Sequence, residues 1–292
     1  MLNNIYNTSL IQRILLIKEE LGTGLDFHKK THKLLPEFSS LKCISKVVEQ
    51  NLNDSLFLDK KWNSFEIPHL TIYEDKNITI RYHLFFPVQT LNNHNAAYLI
   101  HHHGNNILSS CILDGPGYQT IEFEKEILML SDNSFKLKIA KDFFHSNGSI
   151  NLLEGWIPHL IFNVLKPTVS IALWTSSESS SDEQLRLNYT LKKERFYSIS
   201  DDDFCEEASK DIRFEFDSER HIQAICYFIQ QLGYCNRSFL SETLSKVKSN
   251  ELWSKWLIKL ENSEPIELPY FVDRINTMGK KLSIEEIRSY CS

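Results

Sequence analysis

Three histidines in succession, His101, His102 and His103, close the apolar run Ala97-Tyr98-Leu99-Ile100, and Gly104 follows at once. In an extended segment side chains alternate between faces, so His101 and His103 point the same way with one residue between them. Two imidazoles so placed can grip one divalent cation. Packing alone explains such a run poorly, because every buried imidazole needs a polar partner. A third imidazole is available at His159, inside Gly155-Trp156-Ile157-Pro158-His159, and His145, in Phe144-His145-Ser146-Asn147-Gly148, competes with it for the same role. His102 faces the other way, towards packing or a supporting role.

The elements that must position these residues fall into three zones. Residues 1–65 read as a helical N-terminal segment: Leu10 to Glu20 is amphipathic, and Phe38 to Leu52 repeats Leu41, Ile44, Val47 and Val48 at helical spacing. Over 66–176 the period shifts towards two, and turn residues punctuate it. Strands are expected at Leu70 to Tyr73, Asn77 to Phe86, Ala97 to His103, Ile107 to Leu113, Tyr118 to Phe123, Ile127 to Leu130, Phe135 to Ala140, Ile150 to Leu153, Leu160 to Val164 and Thr168 to Trp174. Gly115-Pro116-Gly117 reads as a hairpin turn. So many short strands in about a hundred residues imply a closed β-barrel or a sandwich. Over 177–292 an acidic, serine-rich connector, irregular to about residue 215, gives way to helical texture in His221 to Leu232, Phe239 to Val247, Leu252 to Leu260 and Ile284 to Tyr290.

A strand-borne His-x-His, a glycine-containing turn and a distant histidine on a later strand of a small barrel together resemble the cupin superfamily. The resemblance covers roughly Leu70 to Trp174. His101 and His103 match its first motif, and Pro158-His159 followed by Asn163 matches its second. The glutamate that often completes the first motif would fall near Ile107 or Leu108, both apolar, so the implied ligand set is three neutral histidines: His101, His103 and His159. That set resembles the thiol dioxygenases of the cysteine dioxygenase type and some ring-cleaving or diketone-cleaving cupins. The expected class is therefore mainly β with helical flanks, a cupin double-stranded β-helix barrel between helical segments.

The resemblance implies a non-haem Fe(II) dioxygenase that oxidises a small metal-chelating substrate, such as an amino-acid-derived thiol, with O2 and no organic cofactor. Three imidazoles leave up to three positions of an octahedral Fe(II) open, enough for a bidentate substrate and O2. In such enzymes an arginine on the strand before His-x-His holds the substrate carboxylate, and here that position is filled by Arg81, whose fork suits a carboxylate. Tyr98, Tyr118, Trp156 and Trp174 are candidates to line the cavity. The same barrel with Zn, Mn or Ni would suit an isomerase or lyase, and a metal-free binding or regulatory cupin is a third reading.

Composition narrows the partners. A formal charge of -6 over 292 residues gives no basic stripe, so neither nucleic acid nor an anionic membrane surface is an expected partner. Six cysteines without paired spacing point to a reducing cytoplasm. Tyr227, Phe228, Leu232, Trp253 and Trp256 offer apolar surface that suits a homodimer. His28 and His32, four apart among Lys29, Lys30 and Lys33, read as a solvated helix face, and Cys111 as a small core residue.

Overall fold

The computed structural model describes residues 9–62, 67–86, 103, 105–125, 128–129, 135–136, 138–162, 164, 166–175 and 218–268. His101, His102 and the rest of the expected strand before His103 lie outside these residues, as do Tyr98, Asn163, the serine-rich connector and the helix expected over 284–290.

The helical zone forms α1 (Ser9–Leu21), α2 (Leu25–Thr31), a 3-10 stretch (His32–Ser39), α3 (Leu41–Asn53) and α4 (Ser55–Leu58). Polar caps fix two starts: the Ser40 side chain accepts from the Cys43 amide, and Asp54 accepts from Leu56. In α3 the expected stripe is buried at Ile44, Val47 and Val48, whereas Leu41, at the first position, is 66% exposed. Later helices are α5 (Ser218–Gln231), α6 (Arg237–Lys246) and α7 (Glu251–Glu261), with Asn236 and Asn250 as N-caps for the last two.

Ten strands are described: β1 (His69–Glu74), β2 (Ile78–Phe85), β3 (Ile107–Asp114), β4 (Gly117–Phe123), β5 (Leu128–Met129), β6 (Phe135–Lys136), β7 (Ile139–Ser146), β8 (Ile150–Leu153), β9 (His159–Phe162) and β10 (Thr168–Thr175). They pair as a five-stranded sheet in the order β1-β2-β10-β3-β8, a three-stranded sheet β7-β4-β9 and the short pair β5-β6. Among the described residues no ladder joins the two larger sheets, which face one another as in a sandwich, the alternative to a closed barrel. Helices also cover more of the described chain than strands do, which corrects the mainly β expectation.

The Asp114–Gly117 turn differs from the hairpin its sequence suggests. β3 pairs with β10 and β8, while β4 pairs with β7 and β9, so the turn carries the chain from one sheet to the other. Both glycines are needed there. Gly115 and Gly117 have φ of +84° and +100°, and a Cβ would come within 2.3 Å of the Pro167 carbonyl oxygen and 1.9 Å of the His145 carbonyl oxygen.

Strand alternation gives the five-stranded sheet two unlike faces. Ile78, Ile80, Tyr82 and Leu84 of β2, Cys111 of β3, and Val169, Ile171 and Leu173 of β10 join one apolar core with Phe27, Phe38, Val48, Phe228 and Trp253 from the helices and Trp62 from the segment after α4. N- and C-terminal helices thus cover one sheet face together. Phe228, Trp253 and Trp256 are buried in this core, and Tyr227 and Leu232 pack against it, so the apolar surface that suggested a homodimer is largely used within the chain. Of the described helices, none is long and apolar enough to cross a membrane.

His28 overturns its expected solvated setting. It is fully buried between α2 and the sheet. Thr175 Oγ1 donates to the Thr23 carbonyl at 2.8 Å, so His28 Nε2–H donates to Thr175 Oγ1 at 2.8 Å, and the Ser109 hydroxyl donates to Nδ1 at 2.7 Å. Burial first, and His32 nearby second, lower its pKa to about 3. The ring is therefore neutral and fully satisfied, a tie between helix and sheet.

Candidate metal centre

The opposite face of the five-stranded sheet looks towards the three-stranded one. Phe85 of β2 meets Tyr118 of β4 with ring centroids 4.7 Å apart, and Asn151 Nδ2 of β8 donates to Glu122 Oε1 of β4 at 3.0 Å. These two cross-sheet contacts fix which side chains face the interior. From β4 they are Tyr118, Thr120 and Glu122; from β9, His159 and Ile161; from β7, Lys141, Phe143 and His145. The other sheet contributes Arg81, His83, Ser110, Ser170 and Trp174 by the same parity. Glu122, His83, His145, His159, Ser110, Thr120 and Ser170 are all buried, so this interior is polar where the helix side is apolar.

His103 and His159 meet at one end of the interior. Their ring centroids are 4.9 Å apart with planes inclined at 46°. His159 opens β9 opposite Glu122, the penultimate residue of β4, and His103 lies just before β3. Two contacts hold the loops that carry them: the Asn106 amide donates to the His103 carbonyl at 3.0 Å, and the Trp156 indole N–H donates to Asn105 Oδ1. Trp156 sits at φ 65°, in the left-handed region rarely used by a bulky residue, and this conformation carries its ring to the His103 loop.

The His159 tautomer suits ligation. Its Nδ1 lies 3.1 Å from the Ile157 carbonyl, which can only accept, so the proton is on Nδ1 and the lone pair on Nε2. A backbone carbonyl behind one ring nitrogen is the usual support for a histidine that binds metal through the other. His103, His159 and a third imidazole would therefore fit a divalent cation of borderline softness. Among the described residues no group of three His, Cys, Asp or Glu side chains gathers, and the third expected ligand, His101, lies outside them.

His145 is not brought to this end. It faces Tyr118 across the β4–β7 ladder, four residues from the Glu122 position, or about 13 Å along the strand. Its Nε2 bonds the Ser149 carbonyl at 3.1 Å, and burial lowers its pKa.

Arg81 occupies the interior face of β2, in a row with Ala172, Ser110 and Asn151 of the successive strands. Three strand spacings, about 14 Å, separate it from Asn151. One guanidinium nitrogen donates to Glu74 at 3.1 Å, while its buried Nε has no hydrogen-bond partner. Beside it, His83 packs on Trp174 at 5.0 Å and on His69 at 6.0 Å. Burial and then the Arg81 charge hold His83 at a pKa of about 3, and the same two causes, in the same order, bring His69 well below its ordinary value.

Glu122, Asn151 and Lys141 were not singled out from sequence. A signal existed: Glu122 stands between Ile121 and Phe123, in a strand whose two faces are both buried. Its ring of partners is visible only in three dimensions. Lys141 Nζ donates to Oε2 at 2.7 Å from the neighbouring β7, and Asn151 reaches Oε1 from the facing sheet.

No family model matches this sequence, and no curated protein matches it. Solved structures do resemble it. A protein with a double-stranded β-helix domain from Klebsiella pneumoniae is 12% identical, with 39% of this chain and 81% of that one covered, at a TM-score of 0.26. A cupin protein from Bacteroides fragilis is 11% identical, with 40% and 82% covered and a TM-score of 0.25. KdgF from Halomonas sp. is 10% identical, with 38% and 79% covered and a TM-score of 0.26. At this level of likeness nothing about activity or ligand passes from them to this chain, and the site is read from its own geometry.

Proposed function

We propose that this chain is a cupin-type metal protein in which His103 and His159, with His101, hold a divalent cation. The finer reading is a non-haem Fe(II) dioxygenase acting on a small metal-chelating substrate, such as an amino-acid-derived thiol. The observation that carries the metal reading is the 4.9 Å approach of the His103 and His159 rings, from separate segments, inside a polar interior. Support comes from the His159 tautomer, which aims a lone pair away from the Ile157 carbonyl.

Bound Fe(II) would supply a redox centre for O2 and an electrophile for an anionic substrate group. The chain's own residues then divide the remaining work. Arg81, with a buried Nε–H that lacks a partner and a second nitrogen already on Glu74, is the cation for a substrate carboxylate. His83 stays uncharged at neutral pH, so beside Arg81 it adds shape and a hydrogen-bonding edge without repelling that cation. Tyr118, Phe85 and Trp174 supply apolar wall that limits water.

Elemental analysis of protein purified with and without air, followed by O2 uptake with candidate thiols and diketones, tests this reading. Near-stoichiometric iron, lost in His103→Ala and His159→Ala, together with O2 uptake by the parent protein, is the expected result. Turnover without O2 would move the site to the isomerase or lyase class, and wild-type metal content in both variants would remove the metal reading altogether.

A further inference from the structure

Among the described residues Glu122 is the buried carboxylate of the interior, and its surroundings are lopsided. Its side chain is 2% exposed, whereas that of its ion-pair partner Lys141 is 58% exposed. Water and salt screen the ammonium far more than the carboxylate. Seen from the interior, the pair is therefore net negative. Asn151, reaching from the opposite sheet, fixes the second oxygen, so the charge cannot swing outward.

That charge stands directly beside the proposed ligand. Glu122 and His159 are register partners on β4 and β9, a relation that brings their Cβ atoms to about 5 Å. Both carboxylate oxygens are already taken by Lys141 and Asn151, and among the described residues Glu122 does not complete a three-ligand group with the two histidines. A site built from imidazoles alone is neutral, and a cation entering it would meet no compensating charge. A fixed anion one strand away provides it.

We propose that Glu122, clamped by Lys141 and Asn151, sets the cation affinity of the His103–His159 site by its charge, as a positioning residue and not as a ligand. This rests on the metal-binding reading above. Lys141, the exposed partner, then tunes the charge downward.

The test measures Zn(II) affinity of the full chain by competition with a chelating dye, in the parent protein and in Glu122→Gln, Lys141→Met and His159→Ala, each first checked for a native thermal melt. Glu122→Gln keeps the shape and should weaken Zn(II) about tenfold, the lower end for a group supporting a ligand. Lys141→Met should tighten it by roughly threefold, as befits a screened charge. A merely structural Glu122 would not give opposite signs in the two variants. Parent affinity in Glu122→Gln, with binding abolished in His159→Ala, would overturn the role of Glu122 and leave the metal reading standing. Parent affinity in His159→Ala would instead overturn the metal reading. Where Glu122→Gln fails to fold, Lys141→Met decides: tighter binding upholds the proposal, and unchanged or weaker binding ends it.

Discussion

The two faces of the five-stranded sheet bury histidines in opposite ways. On the helix side His28 uses both ring nitrogens, one accepting from Ser109 and one donating to Thr175, amid apolar residues. On the interior side His159 anchors one nitrogen on a backbone carbonyl and turns its ring to His103, amid Glu122, Asn151 and Lys141. Burial alone therefore does not distinguish the two rings. What separates the two is the company of the ring: hydroxyls bond both nitrogens of His28, whereas the His159 ring lies 4.9 Å from a second imidazole.

Several substitutions test that contrast, and the largest effect belongs to the helix side. Trp253 is fully buried, and its indole N–H donates to the Leu58 carbonyl at 2.8 Å. Trp253→Ala should cost about 3 to 5 kcal/mol in urea unfolding, while the metal content of the remaining folded protein stays unchanged. Loss of metal together with stability would show that the two faces act as one unit.

Acid tests both faces at once. His28 and His83 have folded pKa values of about 3 against an ordinary value of 6.5, so below 6.5 the unfolded chain binds protons that the folded chain refuses. Stability is full above about pH 6.5 and falls as pH drops from there towards 3, by about 2 to 3 kcal/mol per pH unit for the two rings together. Urea midpoints at pH 7 and 5.5 measure this, and His28→Gln should remove the His28 share, half of the two-ring contribution, while His69 and His145, also lowered by burial, keep theirs.

A smaller loss is expected from His28→Ala, about 1 to 3 kcal/mol from depriving the Ser109 hydroxyl of its acceptor and Thr175 Oγ1 of its donor, with metal binding intact. His159→Ala should show the reverse pattern, with little change in the urea midpoint and no metal. Smallest of all is Glu74→Gln. The Arg81–Glu74 pair is partly exposed, so its removal should shift stability by under about 1 kcal/mol, yet it should improve binding of a carboxylated substrate by releasing the guanidinium. Weaker binding in that variant would mean that Glu74 orients Arg81.

Much of the local structure was legible beforehand. The helical spacing of Leu10 to Glu20 and Phe38 to Leu52, and the alternation in Leu70 to Tyr73, Asn77 to Phe86 and Thr168 to Trp174, appear as α1, α3, β1, β2 and β10 with small shifts at their ends. Local periodicity carries that information because a residue's neighbours three or two positions away decide which face it shares. The single strand expected over Phe135 to Ala140 is instead divided between β6 and the start of β7, whose continuation to Ser146 is obscured in sequence by Lys141 and Asp142. His159 as the partner of His103 was legible as a motif, and Glu122 was not.

The sequence by itself determined the elements, the turn glycines and the histidines worth watching. Only the tertiary structure decided that Asp114–Gly117 changes sheets, that His28 is a core tie, that His145 sits at the far end of β4, and that Glu122 stands against His159. The physical reason is distance along the chain. His28 and Thr175 are 147 residues apart, and no local pattern encodes such a pairing, because it forms only when the apolar face of one element finds the matching face of another.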